Sequence, residues 1–240
     1  MINILYICYN RLEATKITLP LLLKHTKSDF DIYAYNNGST DDTLKYLSDM
    51  QEAVKTDAID TKCQEIHVFD WPKNNGIAAP TNDFWVRSRA EIIGKIDNDI
   101  KVFEGWDTDI IDILNAHDKV GAIGHIHFKP ETPGYKDIVK GDKFLESNGK
   151  SYYPMSHIGG NYLIKKSIVD KTAHMKPKQS GHSWKVQGWT EKQWEFSKKG
   201  FRSGYAKPLK HWYHMTETGD DAYYQETRGK THKQYRDWLG

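Results

Sequence analysis

Cysteine is nearly absent from this 240-residue chain: Cys8 and Cys63 are the two, and they form no spacing motif. The expectation is a reducing, cytoplasmic setting, with Cys8 an apolar filler inside a buried strand. Long hydrophobic runs are missing too. No stretch approaches the roughly 18 residues that would span a bilayer, so no membrane span is expected. The opening Ile2–Ile7 is too short for a signal-peptide core and has no basic leader, and it reads as a first strand. There is no internal repeat and no low-complexity segment. With 38% hydrophobic and 28% charged residues, the chain is neither membrane-embedded nor disordered. Its length suits one large domain or two closely packed halves. A glycine-rich basic loop after the first strand is also lacking, since Cys8-Tyr9-Asn10-Arg11-Leu12-Glu13 stands there. That argues against nucleotidyl transfer.

A strong charge of one sign is absent overall, at +2, but the two halves differ. Residues 1–128 carry 13 Lys/Arg against 20 Asp/Glu, or −7, and residues 129–240 carry 21 against 12, or +9. The basic half also holds 9 of 14 tyrosines and 5 of 8 tryptophans. Halves of opposite sign fit a cation on one side and an acidic or aromatic-stacking acceptor on the other. Lysines that merely solvate helix faces would give the same count.

Apolar patterning predicts strands at 3–9, 30–35, 66–69 and 91–96, with helices from Leu12, from Leu44 and over 77–89 between them. Pro20 should start, kink or split the first helix. Gly38 permits a sharp turn, and Ser39 to Asp41 can cap the second helix. This alternation predicts an α/β fold with a mostly parallel, Rossmann-like sheet flanked by helices. Beyond residue 100, a helix is expected over 104–117, strands over 120–128, 157–164 and 203–207, and a short helix over 190–199 stopped by Gly200. Residues 129–155 and 174–188 read as excursions.

The strand at 91–96 ends on Asp97-Asn98-Asp99. Open α/β sheets bind ligands at the carboxyl ends of their strands, and two carboxylates there could hold a hard divalent cation and, through it, a diphosphate. The pattern alone is weak, because Asp29-Phe30-Asp31 and Asp107-Thr108-Asp109 repeat it. Only the preceding strand sets it apart.

Several ordered pieces add weight: Tyr9-Asn10-Arg11 after the first strand, Asn37-Gly38-Ser39-Thr40-Asp41 after the second, and Asn75-Gly76-Ile77 before the carboxylate strand. Gly160-Asn161, an acidic helix, Gly200-Phe201 and a terminal histidine follow. Together, over most of residues 2–214, they resemble the inverting family-2 glycosyltransferases with the GT-A nucleotide-sugar fold. The resemblance implies a single domain over 1–240, with a nucleotide-sugar-binding half (1–101), an acceptor-binding half (102–215) and a charged, aromatic tail (216–240). It also implies a metal-dependent glycosyltransferase, hexosyl or pentosyl, with a UDP-sugar as first choice of donor and Mn²⁺ or Mg²⁺ as cofactor.

By the same resemblance Asp99 is the direct metal ligand, and Asp97 its neighbour, reaching ribose or a metal-bound water. The third ligand is His214, with His211 the alternative. Mixed carboxylate and imidazole ligation would favour Mn²⁺. Glu191 is the expected base, taking a proton from the acceptor hydroxyl. The family's usual Glu-Asp pair is missing, however, and Glu195 is the runner-up. Trp189 and Trp194 could stack on a sugar or serve as core. The donor pocket would draw on Tyr9, Asn10, Arg11, Asn36, Asn37, Gly76, Asp97 and Asn98. Asn36 stands where the family usually has an aspartate for the nucleobase. Arg11 and Lys73 are either phosphate contacts or surface cations, and Asp41 could serve only as a cap. Expected acceptors are a glycan, a lipid-linked glycan or another anionic group. Nucleic acid is the alternative, through transfer to hydroxylated bases in DNA. A non-catalytic nucleotide-sugar-binding module is a third reading.

Overall fold

Ile2–Cys8 (β1) is buried at every position but one. A strand covered on both faces belongs inside a sheet. β1 accordingly pairs in parallel with Phe30–Asn37 (β2) on one side and Ile92–Lys95 (β4) on the other. Cys63–Trp71 (β3) extends the sheet in parallel beyond β2. The structure, a computed structural model, describes residues 1–126, 143–175 and 188–215. Its main sheet continues through Val120–Gly124 (β6), Leu145–Ser147 (β7), Lys150–Met155 (β8), Tyr162–Lys165 (β9) and Arg202–Lys207 (β10). The order is β3-β2-β1-β4-β9-β6-β10-β8-β7. β9 and β8 run against the other seven strands, so the sheet is mostly parallel, as expected. A second, two-stranded sheet joins Ile100–Lys101 (β5) to Tyr213–His214 (β11).

Helices cover both faces. Leu12–His25 (α1), Thr43–Lys55 (α2) and Trp106–Ala116 (α4) pack Leu19, Leu47, Trp106 and Ile110 against Ile4 and Tyr6 of β1. Ala78–Arg87 (α3), Lys166–Val169 (α5) and Trp189–Lys198 (α6) supply Phe84, Ile168, Trp189 and Phe196 to the other face, around Leu5 and Ile93. The side-chain period of two divides β1 and β4 between these two cores.

Several sequence expectations need correction. Pro20 neither starts nor splits α1, which runs through it with the ring on the exposed side. β2 extends through Asn36 and Asn37, so its exit loop begins at Gly38. There φ is +79°, and a Cβ would sit 2.4 Å from the carbonyl carbon of Lys73, which leaves glycine as the residue that fits. The strand expected over 157–164 is Tyr162–Lys165, with Gly159-Gly160 left as a loop at the sheet's end. The strand expected over 120–128 stops at Gly124. Within the supposed excursion 129–155, β7 and β8 form a hairpin about Asn148-Gly149, both at positive φ. Residues 129–142 of that excursion, most of 174–188 and the tail from 216 lie outside the described residues.

Candidate active site

β1 and β4 are adjacent and parallel, so Tyr9-Asn10-Arg11 and Asp97-Asn98-Asp99 leave the sheet at the same end. Between them lies a cavity of about 260 Å³, lined by Ile7, Tyr9, Arg11, Asn37, Asn74, Gly76, Ile77, Lys95, Asp97, Asn98, Asp99 and His214.

The loops that form its walls are tied to one another. Asn10 receives the Thr40 N–H on its side-chain oxygen at 2.8 Å, and its own N–H donates to Ser39 Oγ at 3.0 Å. Asp41 accepts from the N–H groups of Arg11 and Leu12 at 3.1 and 3.2 Å with one oxygen, and from Thr43 N at 3.1 Å with the other. It therefore serves the starts of both α1 and α2, where unpaired N–H groups need an acceptor. Asn10 and Arg11 adopt positive φ in this turn. Asn98 is buried and donates to Thr15 Oγ1 at 3.1 Å, pinning the carboxylate turn to α1.

Asp99 and His214 are 115 positions apart in sequence and meet through β5 and β11. His214 lies opposite Ile100, and Met215 N donates to the Asp99 carbonyl at 2.9 Å. His214 Nε2 comes 3.5 Å from Asp99 Oδ2, and Arg11 Nη1 donates to the same oxygen at 2.8 Å. Two donors on one divalent ion at about 2.1 Å stand roughly 3.0–3.4 Å apart, so at 3.5 Å this carboxylate–imidazole pair lies just beyond the spacing a shared cation needs. Of the two histidines, His214 lines the cavity, while His211 leans on the Tyr213 ring, 5.4 Å between centroids.

Asp97 is held differently. Lys95 donates to its Oδ1, Asn161 Nδ2 donates to Oδ2 at 3.1 Å, and its own N–H donates to Asn161 Oδ1 at 2.6 Å. Burial alone would raise its pKa, but the Lys95 ammonium, with His214 and Asn161 adding to it, carries the carboxyl below its ordinary value. Among the described residues, no group of three or more His, Cys, Asp or Glu side chains converges as a metal cluster.

Of the expected donor residues, Tyr9, Arg11, Asn37, Gly76, Asp97 and Asn98 line the cavity, whereas Asn10 and Asn36 do not. Asn36 is buried, donating to Asp70 Oδ1 at 2.7 Å and accepting from Ser39 N at 3.3 Å. Lys73 is exposed, away from the lining. Glu191 sits in the first turn of α6, exposed, accepting the Gly188 N–H at 2.9 Å. It does not line the cavity. Glu195 is engaged by the Lys192 ammonium at 2.6 Å. Trp189 is core, stacked 3.8 Å from Tyr162, and Trp194 is 51% exposed. Sequence reasoning missed Lys95 and the grip of Asn161 on Asp97. The Lys-x-Asp spacing at the end of a strand was the available signal.

A mostly parallel sheet with a ligand-sized cavity at the ends of β1 and β4, bearing a carboxylate–imidazole pair, defines a GT-A nucleotide-sugar fold. The profile of Glycosyl transferase family 2 matches residues 4–177, and the chain belongs to that family. No curated protein matches it. Among solved structures it is similar to the mannosyltransferase PcManGT from Pyrobaculum calidifontis in complex with GDP-Man and Mn²⁺, at 13% identity and TM-score 0.62, covering 85% of this chain and 55% of that one. It is also similar to S. aureus TarS 1-349 in complex with UDP-GlcNAc, at 13% identity and TM-score 0.64, covering 90% and 61%. The chain thus spans a little over half the length of these neighbours. Among the described residues no helix is long and apolar enough to cross a membrane.

Proposed function

We propose that this chain transfers a sugar from a nucleotide sugar, with a UDP-sugar the first choice, to an acceptor hydroxyl with inversion, using Mn²⁺ or Mg²⁺. The observation that carries this reading is the Asp99–His214 pair, 3.5 Å apart, at the strand ends of a family-2 chain. One neighbour was solved with GDP-Man and Mn²⁺ and another with UDP-GlcNAc, which supports a nucleotide-sugar donor and a cation while leaving the base open. A divalent cation held by Asp99 and His214 would act as a Lewis acid toward the departing diphosphate.

The chain's own residues supply the rest. Arg11, already at Asp99, adds positive charge where phosphate oxygens would lie. Tyr9, Asn37 and Gly76 wall the donor cavity. Glu191, at the start of α6, takes the acceptor proton as the hydroxyl oxygen attacks the anomeric carbon. The acceptor is anionic, a glycan or lipid-linked glycan before DNA, because residues 129–240 carry the positive excess. The chain acts as one domain, with 1–101 the donor side, 102–215 the acceptor side and 216–240 a charged tail, in a reducing cytoplasmic setting.

The test is direct. Purified protein with UDP-sugars and Mn²⁺ should release UDP, and both chelation and Asp99→Ala should abolish the release. Turnover that survives both overturns the metal role.

A further inference from the structure

Lys95 is a buried cation at the cavity that the proposed reaction does not use. Its side chain is 5% exposed, and its ammonium reaches Asp97 and, at 3.4 Å, the Gly160 carbonyl. Residues two apart on a strand face the same side, so Lys95-Ile96-Asp97 sets a cation beside a carboxylate while Ile96 enters the opposite core. A buried ammonium without a counter-ion is strongly unfavourable, whereas the Asp97 side chain is 36% exposed and keeps contact with water. Asp97 then uses its other oxygen and its N–H on Asn161. A Cβ at Gly160 would lie 3.4 Å from both Asp97 Oδ2 and Lys95 Nζ, so the loop before β9 seats directly on the pair. The same loop receives Trp189 Nε1 on the Gly159 carbonyl at 2.9 Å, two residues before Glu191.

We propose that Lys95 is the permanent counter-ion of Asp97. Asp97 is then a strut from β4 to the Gly159–Asn161 loop and the start of α6, and not a cation ligand. Lys95 and Asp97 are positioning residues, and Asp99 and His214 alone among these side chains hold the ion. The division of labour rests on the proposed metal seat, whereas the counter-ion role does not.

Two measurements on the full chain test this. In the first, Mn²⁺ alone is titrated and the free ion read by electron paramagnetic resonance. Asp99→Asn should weaken binding at least tenfold and Asp97→Asn less than threefold. A tenfold loss in Asp97→Asn overturns the proposal. If neither substitution matters, the metal seat itself is wrong, and the second measurement decides the strut. There, thermal unfolding compares Lys95→Met, Asp97→Asn and the double variant. The double variant should recover at least half of the Tm lost in Asp97→Asn, because no buried ammonium is then left alone. Losses that simply add overturn the pairing. Should Asp97→Asn fail to fold, the double variant should fold. Its failure, with Lys95→Met alone folding, overturns the proposal equally.

Discussion

At the scale of single residues, the chemistry divides among side chains of unequal freedom. Asp99, His214 and Arg11 meet at one carboxylate oxygen, so removing the imidazole should act on the cation before it acts on the sugar. His214→Ala is expected to raise the Mn²⁺ concentration needed for half-maximal UDP release at least tenfold, checked by titrating the metal at saturating donor. Glu191 stands apart, exposed on the first turn of α6. A general base contributes typically 10²–10⁴-fold, so Glu191→Gln should lower kcat by about that much and leave UDP binding by calorimetry unchanged. Glu195→Gln, removing a partner of Lys192, should change kcat by less than about threefold. Equal losses from the two substitutions would put the base elsewhere. The resemblance favoured His214 over His211, but spacing alone carries no such preference, because which histidine comes to Asp99 depends on which residue falls opposite Ile100 in a two-residue strand pairing.

At the scale of elements, the loops behind the cavity carry the stability. Asp41 supplies acceptors to both α1 and α2, and a lost cap costs about 1–2 kcal/mol. Asp41→Ala should lower stability by about that amount or somewhat more, read by urea unfolding. Behind the small β5–β11 sheet, His125 is buried with Nε2 on the Trp106 carbonyl at 2.8 Å and, among the described residues, no partner for Nδ1. Burial disfavours its charged form and takes its pKa from 6.5 to about 4, despite the opposing Trp106 hydrogen bond. The unfolded chain therefore binds more protons than the folded one between these values. Stability is full above about 6.5 and falls as pH drops toward 4, by about 3 kcal/mol at most. His125→Gln should flatten that pH dependence of the urea midpoint. A slope unchanged by the substitution would assign it to other groups.

Across the whole molecule, residues 1–101 and 102–215 share one sheet. β9, from the second stretch, lies against β4 and β6 in antiparallel pairing, and β11 closes on β5. A fragment ending at residue 101 would leave β4 with an open edge and Asp97 without Asn161. It should show no cooperative unfolding by circular dichroism, whereas two independent domains would allow it to unfold as a unit. The positive excess of residues 129–240 bears on partners at the same scale. If the acceptor is DNA, binding should fall by orders of magnitude between about 50 and 200 mM salt, because several phosphates would be neutralised. A glycan or lipid-linked glycan with fewer charges at the contact should show a much shallower slope.

The sequence by itself determined the alternation of strands and helices and the sheet end at which Asp97 and Asp99 emerge. These rest on local periodicity and chain direction, which are properties of neighbouring residues. It also carried an Asn148-Gly149 hairpin signal that the surrounding Lys, Gly, Pro and Tyr obscured. Only the tertiary structure decided that Asn36 is spent on Asp70, that His214 rather than His211 reaches Asp99, and that Lys95 and Asn161 claim Asp97. Each of these except the Lys95–Asp97 contact joins residues more than thirty positions apart. Strand pairing and burial set such contacts, and no spacing along the chain encodes them.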